Sequence, residues 1–159
     1  KGIEVGHIFY FGDKYSKPMN AAVDHQRKKE YVKMGSYGIG VSRLVGAIIE
    51  AKYKNNIMKW PSSVSPFDVV IIPNISKNTK ENLDKALIIY KELKKQNIDV
   101  LLDDTEENMS AKFKKHDLIG VPFQIIVGSK STKSSFEFKE IDGESSFLDI
   151  EKIKLKLKK

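Results

Sequence analysis

Phe67-Asp68-Val69-Val70-Ile71-Ile72 is an apolar run broken by one acid and free of glycine and proline. It reads as a strand buried on both faces. Downstream, residues 79–96 place Leu83, Ala86, Leu87, Tyr90 and Leu93 at the spacing of one inward helix face. Residues 98–102 return as a strand closing on Asp103-Asp104, and Ser110 stands where it would cap a helix carrying Phe113, Leu118 and Ile119. Residues 123–127 and 135–141 read as further strands, and Asp142-Gly143 as a hairpin-type turn. Phe147, Leu148, Ile150, Ile153, Leu155 and Leu157 suit a final helix studded with lysines. Strands separated by helices give an α/β fold with a mixed or parallel sheet.

Upstream the pattern changes. Residues 54–66, with Asn55-Asn56, Pro61-Ser62-Ser63 and Pro66, form the best linker candidate. Before them Leu44, Val45, Ile48 and Ile49 recur on one helix face from Val41 to about residue 53. That helix follows Met34-Gly35-Ser36-Tyr37-Gly38-Ile39-Gly40-Val41-Ser42-Arg43, three glycines between a strand and a helix, ending on an arginine. Glycines let backbone approach a base or a phosphate, and a guanidinium stacks on an aromatic ring while its charge faces phosphate oxygens. Two familiar glycine loops are absent: a Rossmann fingerprint needs glycine where Arg43 stands, and a P-loop needs Gly-Lys-Ser/Thr. Ile3, Val5, His7, Phe9 and Phe11 alternate with Glu4, Gly6, Ile8 and Tyr10, which marks a strand. The polar run 24–30 reads as a solvated turn and 31–34 as a returning strand.

The 159 residues suffice for one good core or two small ones. With no cysteine there is neither a disulfide framework nor a thiolate metal site. No apolar run reaches the length of a membrane span and no signal peptide is visible, which fits a cytoplasmic location without a membrane partner. The chain starts at Lys1 inside a strand pattern and is read as a fragment of a longer protein. A net charge of +7 suits a polyanion such as RNA. Abundant lysine, asparagine and isoleucine are equally what an A/T-rich genome would encode.

Three groups of residues in the first part carry a resemblance: Gly2-Ile3-Glu4-Val5-Gly6-His7-Ile8-Phe9-Tyr10-Phe11-Gly12, Lys14-Tyr15-Ser16, and Tyr37-Gly38-Ile39-Gly40-Val41-Ser42-Arg43-Leu44. Together they resemble the end of the catalytic domain of bacterial prolyl-tRNA synthetases, where the glycine-arginine element is motif 3 of the class II aminoacyl-tRNA synthetases. Trp60-Pro61, Pro66-Phe67-Asp68-Val69, Val100-Leu101-Leu102-Asp103-Asp104, Lys112-Phe113 and Asp117-Leu118-Ile119-Gly120-Val121-Pro122 are similar to the anticodon-binding domain of the same family.

The resemblance implies three parts. Residues 1–60 would be the end of a class II catalytic domain, a strand hairpin plus helix left over from its antiparallel sheet. Residues 61–66 would be a linker, and 67–159 a mixed-sheet anticodon-binding domain. It also implies a two-step ligase that activates proline with ATP and Mg²⁺ and passes it to tRNA-Pro, a homodimer at full length and inactive as this piece. Arg43 would be catalytic, stacking on adenine, with Gly38 and Gly40 keeping the ATP site floor low. Glu4 would lie near ATP and Mg²⁺, and His7, Phe9 and Ser36 would line the proline pocket. Strict alternation sets Glu4 opposite His7, so both reach one site only through a bulge or sharp twist near Gly6. Asp103, Asp104 and Lys112 would contact the anticodon. Relatives carry arginine after the paired aspartates and arginine-proline-glycine before the lysine; here Thr105, Asn108, Met109 and Ser110 stand instead. The alternatives are a non-catalytic tRNA-binding accessory domain or paralogue, or an α/β domain for a small molecule.

Overall fold

The computed structural model describes residues 2–75, 80–132 and 134–158 and divides into two compact units, Lys1–Ala51 and Lys52–Lys159.

In the first unit, β1 (Gly6–Gly12), β2 (Ala22–His25), β3 (Lys28–Tyr31) and β4 (Met34–Ile39) precede α1 (Val41–Lys52). β1 pairs antiparallel with β4, His7 opposite Gly38 and Phe9 opposite Ser36, with an irregularity between Tyr10 and Gly12. The polar run 24–30 is not a plain turn. It folds into a second antiparallel ribbon, β2 against β3, joined through Gln26 and Arg27, whose φ of 49° and 62° turn the chain in two residues. The returning strand starts at Met34, and Tyr31 ends the ribbon instead. Among the described residues of this unit only Ser16 is buried. Ile8, Tyr10, Tyr37 and Ile39 are 72–75% exposed, and α1 buries none of its residues.

The second unit runs β5 (Val69–Pro73), α2 (Lys80–Lys94), β6 (Val100–Leu102), α3 (Met109–Ile119), β7 (Phe123–Val127), β8 (Phe136–Glu140), β9 (Ser145–Leu148), α4 (Ile150–Leu157). Thr79, the expected first residue of α2, lies outside the described residues. The five-stranded sheet has the order β6-β5-β7-β8-β9, parallel between β6, β5 and β7 and antiparallel thereafter. Alternation along β5 explains its continuous apolar sequence. Val69 and Ile71 pack with Ala86, Ile89 and Leu93 of α2 and Ile153 and Leu157 of α4, while Val70 and Ile72 face Met109 and Phe113 of α3. Both faces are covered, as the unbroken run requires.

Three local readings change. Phe147 and Leu148 belong to β9, because the Asp142-Gly143 turn returns the chain as a strand before Asp149 caps α4. Asn108 rather than Ser110 caps α3, its side chain accepting from the Ala111 amide at 2.9 Å. Leu87, expected inward, is exposed, as are the apolar residues Leu118, Ile119 and Leu155 of the later helices, because each helix turns a narrower stripe towards the sheet. Within residues 54–66, Met58 is buried, its amide bonded to the Asp117 carbonyl, and Trp60 Nε1 donates to the Ile119 carbonyl.

Candidate functional site

The first constellation sits on the β1–β4 hairpin. Residues opposite one another in an antiparallel pair share a face. The register therefore puts His7, Phe9, Ser36 and Gly38 on one side of the hairpin. His7 stacks on Phe9 with ring centroids 4.1 Å apart and planes 9° from parallel. Glu4 precedes the strand, since β1 starts at Gly6, so the alternation expected to separate it from His7 does not apply. Its Oε2 lies 3.4 Å from His7 Nδ1, and its Oε1 accepts from an Arg43 guanidinium nitrogen at 3.2 Å. The same nitrogen donates to the Glu4 carbonyl at 3.2 Å. His7 and then Arg43 hold the Glu4 carboxyl below its ordinary pKa.

Glycine has a steric role at one end of this site. A Cβ at Gly40 would stand 3.2 Å from Arg43 Cβ and 3.7 Å from Nε, so a larger residue would push against the arginine. A Cβ at Gly38 would meet nothing within 4 Å. The backbone there is open to a flat or anionic ligand. The structure thus brings Glu4, His7, Phe9, Ser36, Gly38, Gly40 and Arg43 together on one unit. No group of three or more histidine or acidic side chains among the described residues is poised for a metal ion, so Glu4 stands as a single carboxylate. Mg²⁺ is commonly held by one or two carboxylates with phosphate and water completing its shell.

The second constellation lies at the carboxyl ends of β5 and β6, the edge where open α/β sheets place their binding crevices. Asp103 and Lys112, expected as exposed contacts, point inward at 5% and 0% exposure, and His116 joins them at 2%. Asp103 Oδ1 accepts from the Thr105 amide at 3.1 Å and hydroxyl at 2.5 Å; Oδ2 receives His116 Nε2 at 2.6 Å and Lys115 Nζ at 2.9 Å. Lys112 Nζ lies 3.5 Å from Oδ1 and donates to the Pro73 and Asp103 carbonyls at 2.9 and 3.2 Å, tying the two strand ends together. Burial opposes ionisation of Asp103, but donors from Thr105, Lys115 and His116 outweigh it and hold the carboxyl far below the usual range. Burial keeps the His116 pKa below its ordinary value, partly offset by Asp103. Neutral His116 therefore donates through Nε2 to an ionised carboxylate.

Asp103 and Lys112, expected at the anticodon, are buried, and their side chains hold the loop, Asp103 through Thr105 and His116 and Lys112 through the Pro73 and Asp103 carbonyls. Asp104 alone of the three is exposed. Lys115 spans Asp103 and Glu107, 2.6 Å from the latter, and its pKa is raised by Glu107 first and Asp103 second. The departures from the family pattern have structural uses, Thr105 binding Asp103 and Asn108 capping α3. His116 was not singled out by sequence, although its spacing of four from Lys112 places both on one helix face.

A family model described as "Anticodon binding domain" matches residues 68–159. The chain is 60% identical over 156 residues to a proline--tRNA ligase of Pelagibacter ubique, covering 96% of this chain and 35% of that protein. It is 56% identical over 136 residues to a proline--tRNA ligase of a Wolbachia from Brugia malayi, covering 85% and 31%. The chain thus spans about one third of the length of these curated relatives. A crystal structure of prolyl-tRNA synthetase from Cryptosporidium parvum, complexed with L-proline and AMP, has the same fold, with a TM-score of 0.85 at 24% identity over 98% of this chain and 33% of that one.

Proposed function

We propose, from the premise that this chain belongs to the anticodon-binding domain family, that it is the C-terminal part of a proline--tRNA ligase. The observation that carries this reading is the 60% identity to one such ligase, which extends over 96% of the chain and so includes both units. In this reading the boundary of the catalytic part lies near residue 60, a linker covers 61–66, and the anticodon-binding domain covers 67–159. The parent is a cytoplasmic homodimer. Among the described residues no helix is long and apolar enough to cross a membrane.

The reaction has two steps. The proline carboxylate attacks the α-phosphate of ATP, releasing pyrophosphate and leaving prolyl-adenylate. The terminal ribose hydroxyl of tRNA-Pro then attacks the prolyl carbonyl and releases AMP. Both steps need positioning and charge stabilisation more than a protein nucleophile. Arg43 stacks on the adenine and faces its charge to the phosphates, over backbone kept low at Gly38 and Gly40. Glu4 orients Arg43 and would supply one carboxylate to Mg²⁺, which would neutralise phosphate charge. His7, Phe9 and Ser36, on one hairpin face, line the proline pocket. In the second unit Asp104 presents an acceptor to the donors of an anticodon guanine, while Asp103 and Lys112 fix the loop beneath it.

Arg43→Ala in the full-length parent should abolish proline-dependent pyrophosphate exchange, and normal exchange would refute the role given to Arg43. For the second unit, the 159-residue chain should bind tRNA-Pro transcript more tightly than the same transcript with its anticodon guanines replaced, at a salt concentration where non-specific binding is weak. Equal affinities would refute anticodon readout.

A further inference from the structure

The β2–β3 ribbon takes no part in either constellation, and its tip is locally unfavourable. Gln26 and Arg27 both have left-handed backbone, φ 49° and 62°. Asparagine and glycine accept that geometry far more readily than glutamine or arginine. The sequence instead places a neutral amide at the first of those positions and a charge at the second. Residues 25–29 read His-Gln-Arg-Lys-Lys, three permanent cations and no acid. Across the ribbon His25 is in register with Lys28, and Asp24 with Lys29. Alternation then sets His25 and Lys28 on one face, with Glu30 farther from the turn, Lys29 on the other face opposite Asp24, and Arg27 at the tip, so the excess of positive charge lies at the turn end of the ribbon.

None of these four side chains makes an ion pair or side-chain hydrogen bond among the described residues, whereas nearby Lys33 is neutralised by Asp13 at 3.2 Å. All four are exposed. A flat anionic surface would engage one face of such a ribbon. Cations on both faces and at the tip instead match phosphates lying on either side, as between the two backbones of a folded RNA. We propose that the β2–β3 tip is a phosphate contact for structured RNA, made by Arg27, Lys28 and Lys29. The choice of tRNA-Pro as that RNA rests on the proposed function.

The test is binding of the full-length parent, in which the first unit is completed, to tRNA-Pro transcript across a salt series. At about 0.7–0.9 per phosphate contact, the combined variant R27A/K28A/K29A should flatten the slope of log affinity against log salt by about 2–3. K80A/K91A/K158A, which removes equal charge from the second unit, should leave the slope nearly unchanged. Q26N/R27G makes the turn more favourable while removing one cation, and should still flatten the slope by about 1. A full slope in the ribbon triple variant, or equal flattening in the second-unit control, overturns the proposal. If the wild type discriminates the anticodon while the ribbon variant keeps its slope, the ribbon proposal falls and the anticodon reading stands. If the slope depends on the ribbon but anticodon changes have no effect, the ribbon contact stands and the anticodon reading falls. No binding to the transcript at all overturns both.

Discussion

Asp103→Asn should be among the most damaging single changes in the second unit, although it removes one charge and almost no volume. The carboxylate receives Thr105, Lys115 and His116 and faces the wholly buried Lys112 at 3.5 Å. An amide cannot satisfy that set. One of its two polar atoms is itself a donor, and Lys112 loses its counter-charge. Removing one member of a buried ion pair costs about 3–5 kcal/mol. With a urea slope of about 1–3 kcal/mol per molar, the unfolding midpoint should fall by about 2 M. The assay is built in, because Trp60 is the only tryptophan and its indole donates to the Ile119 carbonyl at 2.9 Å, so its emission follows this unit. Asp104→Asn at the exposed neighbour should stay within about 0.5 kcal/mol of wild type. Asp103→Asn combined with Lys112→Met removes both charges and should recover much of the loss. The sign with pH follows from the depressed folded pKa of Asp103. The advantage of wild type over Asp103→Asn is fully present above the unfolded carboxylate pKa of about 3.9 and shrinks as pH falls towards the folded value. A midpoint for Asp103→Asn matching that of Asp104→Asn, or no recovery in the double variant, would refute the reasoning.

His116 has a folded pKa depressed mainly by burial, so the unfolded chain binds its proton first. Second-unit stability should therefore decline as pH falls below about 6.5, and His116→Gln should lack that slope in urea midpoints between pH 7 and 5. Gly120→Ala should cost more than about 2 kcal/mol, seen as a lower melting temperature, because φ is +82° and the added Cβ would stand 2.6 Å from the Met58 carbonyl oxygen. Asn108→Ala should cost about 1 kcal/mol through loss of the α3 cap, with Ser110→Ala nearly silent in the same denaturation series.

The parts legible in sequence were those set by periodicity. β5 and β7 had to be buried strands because each has apolar side chains on both faces, and α2 was legible through Ala86 and Leu93, which meet β5, although its inward face also takes in Ile89, which the expected stripe omitted, and leaves Leu87 exposed. Register was harder to read. The run 24–30 is polar on both sides, so no buried face distinguished a ribbon from a turn, and residues as unsuited as Gln26 and Arg27 concealed the connection. The α3 cap was misread because Asn108 and Ser110 are both competent caps, and only the geometry of the loop around Asp103 selects between them. In the candidate sites, residue types were legible and their depth was not. Aspartate and lysine are seldom buried, so the inward positions of Asp103 and Lys112 follow from mutual pairing across nine residues, together with His116, which composition does not reveal.

The same reasoning about burial separates the two units dynamically. Every buried apolar side chain among the described residues lies at or beyond Met58, while Ile8, Phe9, Tyr10, Tyr37 and Ile39 in the β1–β4 hairpin are exposed. A two-stranded hairpin without a covering layer is marginal in water, whereas a sheet packed on both faces opens only with the whole unit. Hydrogen exchange on this chain should find the amides of Val69, Val70, Ile71 and Ile72 and of Phe123–Val127 protected to near the global unfolding free energy, and those of Gly6–Gly12 exchanging with little protection. In the full-length parent, where the proposed reading supplies the rest of an antiparallel sheet, the β1 amides should become slow. Strong protection of β1 in the 159-residue chain would mean that strand pairing alone stabilises it, and the exposed apolar face could no longer be taken as the signature of a layer contributed by other parts of a longer protein.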